Sequence, residues 1–122
     1  MRQKILIVED NPLNLRLFSD LLRANGYDVD GVQDARQAID HARQMTPDLI
    51  VLDIQMPHLT GLELIDRIRA DDILDKTPIM AVTAYAARSD EERIKAAGAN
   101  AYVAKPISLD KFLSEVKALA SG

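Results

Sequence analysis

The chain has 122 residues, the size of one ordinary domain, and it has no cysteine, which excludes a disulfide framework and a cysteine-ligated zinc site. A net charge of −4 with only 4% aromatic residues disfavours a nucleic-acid binder, which needs basic patches and stacking surfaces. No apolar run approaches the roughly 20 residues of a membrane span, and the polar start is unlike a signal peptide. We therefore expect a cytoplasmic protein that binds neither nucleic acid nor membrane.

Short apolar runs alternate along the chain with amphipathic stretches. Residues 5–8 are a continuous apolar run, which is typical of a strand buried on both faces. Asn11 and Pro12 fit the N-cap and the first position of a helix that Gly26 ends. The apolar side of this helix is predicted to carry Leu13, Leu17, Phe18, Leu21 and Leu22. Residues 27–32 then predict a weaker strand.

The alternation continues to the end of the chain. A helix is predicted from Asp34, with Gln37 in the capping-box position, and a second strongly apolar strand at 49–52 ends at Asp53. Thr60 and Glu63 form another capping box at the start of the next helix. The remaining predicted elements are a strand at 78–82, a helix from Ser89 to Gly98, a strand at 101–103 and a helix from Ser108.

Five strand–helix units in unbroken alternation predict an α/β fold, a doubly wound five-stranded parallel sheet with helices on both faces. No linker, long repeat or low-complexity segment divides the chain. We expect residues 1–122 to form a single domain with no effector domain.

The residues just beyond the predicted strands are chemically unusual as a set. Glu9 and Asp10 follow the first strand, and Asp53, Thr83 and Lys105 follow the third, fourth and fifth. Each residue alone could be a helix cap or surface decoration. Because ligand sites of such sheets lie at the carboxyl ends of the strands, the whole set at one edge predicts a functional site.

Charge arithmetic indicates a cation at this edge. Three carboxylates and one lysine leave a charge of about −2, and like charges at close range need a neutralising ion. Hard oxygen ligands favour Mg²⁺, for which Mn²⁺ could substitute. With the metal bound, Asp53 can act as a nucleophile toward phosphorus, while Thr83 and Lys105 stabilise the phosphoryl oxygens.

Four motifs resemble the signature of the CheY-like receiver family of bacterial two-component systems: ILIVEDN at 5–11, DIQMP at 53–57 with Gly61, VTA at 82–84, and Lys105-Pro106. The resemblance extends from Lys4 to about Leu119. It implies the flavodoxin-like receiver fold and a cis peptide at Lys105-Pro106.

The resemblance also implies a role for each site residue. Asp53 would be the phosphoacceptor, and Thr83 and Lys105 would complete the catalytic set. The implied metal ligands are Glu9, Asp10, Asp53 and the backbone carbonyl of Gln55. Glu9 stands where Asp is commoner, so both direct and water-mediated ligation stay open. Ala84 is assigned as a cofactor-binding residue, Thr83 and Tyr102 as the switch residues, and Tyr85 as a side chain over the mouth of the site.

A receiver of this kind is a phosphorelay response regulator, not an enzyme, because it catalyses only its own phosphorylation and dephosphorylation. The implied donor is a sensor histidine kinase or a histidine phosphotransfer protein. Downstream proteins would bind the face formed by the helix at 89–97, the strand at 101–103 and the last helix. We expect a monomer or a weak dimer.

Within the family, the chain resembles most the single-domain regulators of the DivK kind, which act in bacterial cell division and polarity. The motifs behind this are EDNPLN at 9–14, AYA at 84–86, DEERI at 90–94 and AYVAKPIS at 101–108. A receiver from a hybrid histidine kinase stays an alternative. A hydrolase with an aspartyl-phosphate intermediate is a weaker one, because it needs an acid where Gln55 stands.

Overall fold

Five parallel strands and five helices make up the computed structural model, which describes residues 2–84 and 88–120. The strands are β1 (Lys4–Val8), β2 (Asp28–Val32), β3 (Leu49–Asp53), β4 (Ile79–Thr83) and β5 (Ala101–Ala104). The helices are α1 (Pro12–Ala24), α2 (Ala38–Met45), α3 (Gly61–Ala70), α4 (Arg88–Ala97) and α5 (Leu109–Ala120). The strand order β2-β1-β3-β4-β5 confirms the doubly wound sheet. Tyr85 lies outside the described residues.

The two faces of the sheet carry separate hydrophobic clusters. One face packs against α1 and α5, where the rings of Phe18 and Phe112 stack with their centroids 4.9 Å apart. The other face packs against α2, α3 and α4. Side chains of β1 and β3 alternate between these clusters, as the pleat of a strand requires, so apolar residues fill both faces. In the described residues, no helix is long and apolar enough to cross a membrane.

The prediction for the apolar side of α1 was partly wrong. Leu13 and Leu17 are 77% and 49% exposed, whereas Ser19, predicted on the polar side, is buried. The buried stripe follows the spacing i, i+3, i+4, i+7 from Leu15, with Phe18 and Leu22, and Leu15 itself is partly buried against the core. At 100° per residue, Leu13 and Leu17 lie roughly on the opposite side of the helix from this stripe.

Of the helix caps predicted at Asn11, Asp34 and Thr60, two form. The side chain of Asn11 accepts hydrogen bonds from the backbone of Leu13 and Asn14, and Thr60 and Glu63 form the reciprocal capping box of α3. The prediction of a capping box formed by Asp34 and Gln37 was wrong. Asp34 instead accepts from the Arg36 backbone and starts a 3₁₀ turn, Ala35–Gln37, after which α2 begins without a side-chain cap.

Gly61 brings the start of α3 against the end of β3. A Cβ at this position would lie 2.5 Å from the Ile54 Cα and 2.7 Å from the Asp53 carbonyl oxygen, both of which are backbone atoms. The Gly61 N–H also donates to the Ile54 carbonyl at 2.9 Å. The residue therefore lets the loop after Asp53 fold back closely, which sets the position of the backbone around the candidate site.

Gly61→Ala should destabilise the fold by about 1–3 kcal/mol, because overpacking against backbone cannot be relieved by a rotamer change. Urea unfolding followed by circular dichroism measures the effect. Gly31→Ala is the matched control, since its Cβ would meet the Leu15 side chain, with its closest contact a terminal methyl at 2.6 Å. Equal losses of stability in the two variants would contradict the argument.

Candidate functional site

The sheet brings the predicted site residues together at the carboxyl ends of its strands. Glu9 follows β1, Asp53 and Thr83 are the last residues of β3 and β4, and Lys105 follows β5. Because β3 pairs with both β1 and β4, Asp53 lies centrally. Glu9, Asp53 and Thr83 are buried, with at most 3% of their surface exposed. Asp10 and Lys105 are partly exposed and form the more open side of the site.

Both carboxylate oxygens of Asp53 already have a hydrogen-bond donor. The Lys105 ammonium donates to Oδ2 at 2.9 Å, and the backbone N–H of Gln55 donates to Oδ1 at 2.9 Å. The Asp53 side chain is 3% exposed in this ion pair and the Lys105 side chain 25%. The cis peptide between Lys105 and Pro106, as expected, lies directly after the lysine. These contacts fix the orientation of the Asp53 carboxylate.

Negative charge is concentrated around this carboxylate. One carboxylate oxygen from each of Glu9, Asp10 and Asp53 lies within 4.8 Å of the others. Burial, and then the hydrogen bond and charge of Asp53, raise the pKa of Glu9 to about 7. Burial by itself would lower the pKa of Lys105, but the hydrogen bond and negative charge of Asp53 raise it above its usual value. The site therefore holds more negative charge than its lysine balances.

The donor set fits a hard divalent cation. Three carboxylates converge, while the soft or nitrogen ligands that select transition metals are not part of the cluster. A cation would offset the repulsion between Glu9 and Asp53, which adds to burial in raising the pKa of Glu9. The residues that could hold it are those predicted from the sequence, Glu9, Asp10 and Asp53.

Gln55 makes a contact that the sequence analysis did not predict. Its side-chain Oε1 accepts a hydrogen bond from the Ala84 backbone N–H at 3.3 Å, so it bridges from the end of β3 to the end of β4. The sequence analysis considered Gln55 only for its backbone carbonyl and for its uncharged amide, which disfavours a hydrolase. No sequence pattern could have revealed the bridge, because the direction in which the Gln55 side chain points depends on how two loops are placed in the folded protein.

Tyr102, the predicted switch aromatic, is half-buried on β5 and packs against the cluster that contains α3 and α4. Partial burial, and then the negative charges of Glu91 and Asp90 on α4, raise its pKa. The phenol therefore lies near the first turn of α4, which carries both of these carboxylates. This environment is compatible with the predicted role of Tyr102 as a switch residue.

An apolar patch beside Lys105 was also missed, because two of its leucines were assigned to the core. Leu13, Leu17 and Leu109 are exposed on α1 and α5. A cavity of about 200 Å³ lies between these helices, and Lys105 and Pro106 are part of its lining. The patch therefore adjoins the residue that contacts Asp53.

Comparison with known proteins identifies the family to which this fold belongs. The chain matches the response regulator receiver domain over residues 5–117 and belongs to that family. It is thus a receiver of two-component signalling and not a member of a classical enzyme family. Receivers interact with histidine kinases and downstream targets.

Among curated proteins, the chain is 45% identical to the polar-differentiation response regulator DivK of Brucella anthropi, over 96% of this chain and 95% of that protein. The DivK protein of Brucella ovis is 44% identical over the same shares.

Solved structures of response regulator receivers are also similar to this chain. The receiver domain of a sensor histidine kinase from Pseudomonas aeruginosa is 35% identical, with a TM-score of 0.90 over 100% of both chains, and has a magnesium ion coordinated in its active-site cleft. A chemotaxis response regulator of Vibrio cholerae is 28% identical, with a TM-score of 0.91 over 98% of this chain and 99% of that chain.

Glu9→Gln should raise the unfolding free energy without metal by on the order of 1 kcal/mol near pH 8, because it removes a buried charge beside Asp53. Mg²⁺ should stabilise the parent protein by mass action and the variant less. Urea unfolding with EDTA and with Mg²⁺ measures both effects. Glu115→Gln on α5 is the matched control and should change neither the unfolding free energy without metal nor the stabilisation by Mg²⁺. An equal stabilisation of the parent and of Glu9→Gln by Mg²⁺ would contradict a role of Glu9 at the metal.

Proposed function

We propose that the chain is a phosphorelay response regulator that accepts a phosphoryl group on Asp53 from the phosphohistidine of a sensor kinase or phosphotransfer protein. The observation that carries the proposal is the Asp53 carboxylate, which is buried at a strand end and oriented by Lys105 on one oxygen and the Gln55 N–H on the other. An oriented carboxylate in a site of restricted water access is suited to nucleophilic attack.

The chemistry is an exchange of one bond to phosphorus for another. An Asp53 carboxylate oxygen forms a bond to phosphorus as the bond from phosphorus to the donor's imidazole nitrogen breaks, and the electron pair stays on that nitrogen. Lys105 transfers its hydrogen bond from the carboxylate to the phosphoryl oxygens. The Thr83 hydroxyl and the Ala84 N–H, both at the end of β4, complete the donor set.

Mg²⁺ is part of the proposal, held by Glu9, Asp10, Asp53 and the Gln55 carbonyl, and it would supply positive charge against the charge that develops on the transferring group. Support comes from the converging carboxylates and from the magnesium in the cleft of the Pseudomonas receiver. An uncharged amide at Gln55 offers no general acid or base for a hydrolase, which supports a signalling role.

A protein donor is supported by the apolar patch of Leu13, Leu17 and Leu109. Exposed apolar patches on otherwise polar surfaces mark protein contacts, and this one borders Lys105. The donor must bring its phosphohistidine to Asp53, so a surface continuous with the site is where it would bind. The output signal, from the similarity to DivK regulators, concerns cell polarity and division.

The output surface that we propose comprises α4, β5 and α5. Thr83 ends β4, and α4 begins a few residues later, so a shift of Thr83 toward the phosphoryl group is transmitted directly to α4. α4 packs on the core through Ile94, which is 2% exposed, and through the partly buried Ala97, while its charged side chains at Glu92, Arg93 and Lys95 are exposed. A helix with so little apolar anchorage can move at small cost. Tyr102 on β5 is proposed to rotate inward with it.

Incubation with acetyl phosphate and Mg²⁺ should add one phosphoryl mass to the protein, and hydroxylamine should remove it, as expected of an acyl phosphate. Asp53→Asn should abolish the mass shift because it removes the nucleophile, and EDTA should suppress it. Intact-protein mass spectrometry is the measurement, with Asp66→Asn on the exposed face of α3 as the matched control. Full labelling of Asp53→Asn, or of the parent in excess EDTA, would refute the proposal.

Thr83→Ala should separate phosphorylation from switching. The variant should still accept the phosphoryl group from acetyl phosphate, but the phosphorylation-dependent changes in the amide NMR shifts of α4 and β5 should be largely lost, because the charge-assisted hydrogen bond of the hydroxyl is gone. Tyr102→Ala should reduce the changes in α4. Thr77→Ala serves as the control. Parent-like shift changes in both Thr83→Ala and Tyr102→Ala would show that the coupling follows another route.

A further inference from the structure

Gln55 connects the two strand ends that border the phosphoacceptor. Its backbone N–H donates to the Asp53 Oδ1 at 2.9 Å, and its side-chain Oε1 accepts from the Ala84 N–H at 3.3 Å. β3 and β4 are neighbours in the sheet, with Asp53 opposite Val82. The half-buried side chain of Gln55 therefore extends across the mouth of the site, from the loop that follows the nucleophile to the loop that follows Thr83.

The Ala84 N–H is one of the few donors available to a phosphoryl group on Asp53. Such a group carries three charged acceptor oxygens, and Lys105 and the backbone of Ala84 lie at the adjacent strand ends. One N–H makes one well-directed hydrogen bond. The Gln55 carboxamide and a phosphoryl oxygen consequently compete for the same donor.

We propose that the Gln55 side chain is a latch that occupies the Ala84 N–H before phosphorylation and is displaced by the phosphoryl oxygen. The inference rests on the proposed phosphorylation of Asp53. A charged phosphoryl oxygen is a stronger acceptor than a neutral carboxamide, so displacement is favourable. The contact that is lost nevertheless lowers the affinity of the site for the phosphoryl group, and Gln55 is thus a positioning residue that sets this affinity.

The displaced side chain has space to occupy. A groove of about 480 Å³ between the start of α3 and α4 borders Gln55, and Thr60 and Arg93 are among the residues that line it. Release of Ala84 also frees the first residue after β4 from its connection to the β3–α3 loop. The latch therefore holds the two loops together only in the unphosphorylated protein.

The first measurement needs no phosphoryl group. Amide hydrogen exchange of Ala84, followed by NMR on the full chain without metal, should be slow in the parent relative to Gln55→Leu, which keeps a similar side-chain volume and removes the acceptor. Gln44→Leu, at an exposed glutamine of α2, is the matched control and should leave the exchange of Ala84 unchanged. Urea unfolding of all three proteins shows whether a general loss of stability contributes to faster exchange of the Ala84 amide.

The second measurement is a titration with beryllofluoride, a phosphoryl analogue that coordinates a carboxylate oxygen, in the presence of Mg²⁺. Gln55→Leu should bind it about two- to tenfold more tightly than the parent, which corresponds to the usual net contribution of one hydrogen bond. Gln44→Leu should bind it like the parent.

Each result bears on one claim. Unchanged exchange of Ala84 in Gln55→Leu would overturn the latch by itself. Faster exchange with equal or weaker binding of beryllofluoride would overturn the competition and show that Gln55 merely stabilises the loop. Failure of the parent to bind beryllofluoride at all would overturn the proposed function, and the competition with it, irrespective of the exchange result.

Discussion

The ion pair between Lys105 and Asp53 is the interaction on which the site depends. It is 2.9 Å long and almost fully removed from water on the aspartate side, yet among residues 2–84 and 89–120 Lys105 forms no further salt bridge to Glu9 or Asp10. A buried carboxylate without compensation costs several kcal/mol, so the remaining charge must meet solvent or a cation, or be neutralised by a proton. Glu9 can take up that proton, because burial and then the contact with Asp53 raise its pKa to about 7. The partly exposed position of Asp10 provides such an opening. The same excess of negative charge that destabilises the protein is what suits the site to a divalent ion.

The packing of the parallel sheet offsets the free-energy cost of this charged edge and keeps its residues in place. Apolar clusters on both faces hold β1, β3 and β4 rigidly, so their last residues cannot move apart to relieve the repulsion. Gly61 adds a second constraint, because its close approach to Ile54 and the Asp53 carbonyl folds the loop back over the strand end. Rigid strand ends and short loops thus preorganise the carboxylates, which is the usual way in which an α/β sheet supports a site at its carboxyl edge.

Features that depend on backbone periodicity and strand order could be predicted from the sequence. Asp53 after a continuous apolar strand, and the capping box of Thr60 and Glu63, are local patterns with direct structural meaning. Features that depend on rotation or on nonlocal contacts could not. Leu13 and Leu17 are as apolar as Leu22, and only the docking of α1 on the sheet shows that they face solvent while Ser19 is buried. The bridge from Gln55 to Ala84 needs two loops from different parts of the chain, for which composition gives no signal.

A switch can follow from the reuse of donors that already have partners. The Lys105 ammonium is bound to Asp53, and the Ala84 N–H is bound to Gln55, so two of the three donors proposed to stabilise a phosphoryl group are engaged beforehand. In the proposed switch, their transfer to phosphoryl oxygens would exchange existing hydrogen bonds for stronger, charge-assisted ones, and each exchange would break a contact between two strand ends. The energy gained locally would be coupled to the release of Ala84, the first residue after β4, from the loop after β3. A few kcal/mol of differential stabilisation shifts a two-state equilibrium substantially, so the proposed rearrangement of these two contacts is of the size needed to bias the position of α4, the weakly anchored helix that follows.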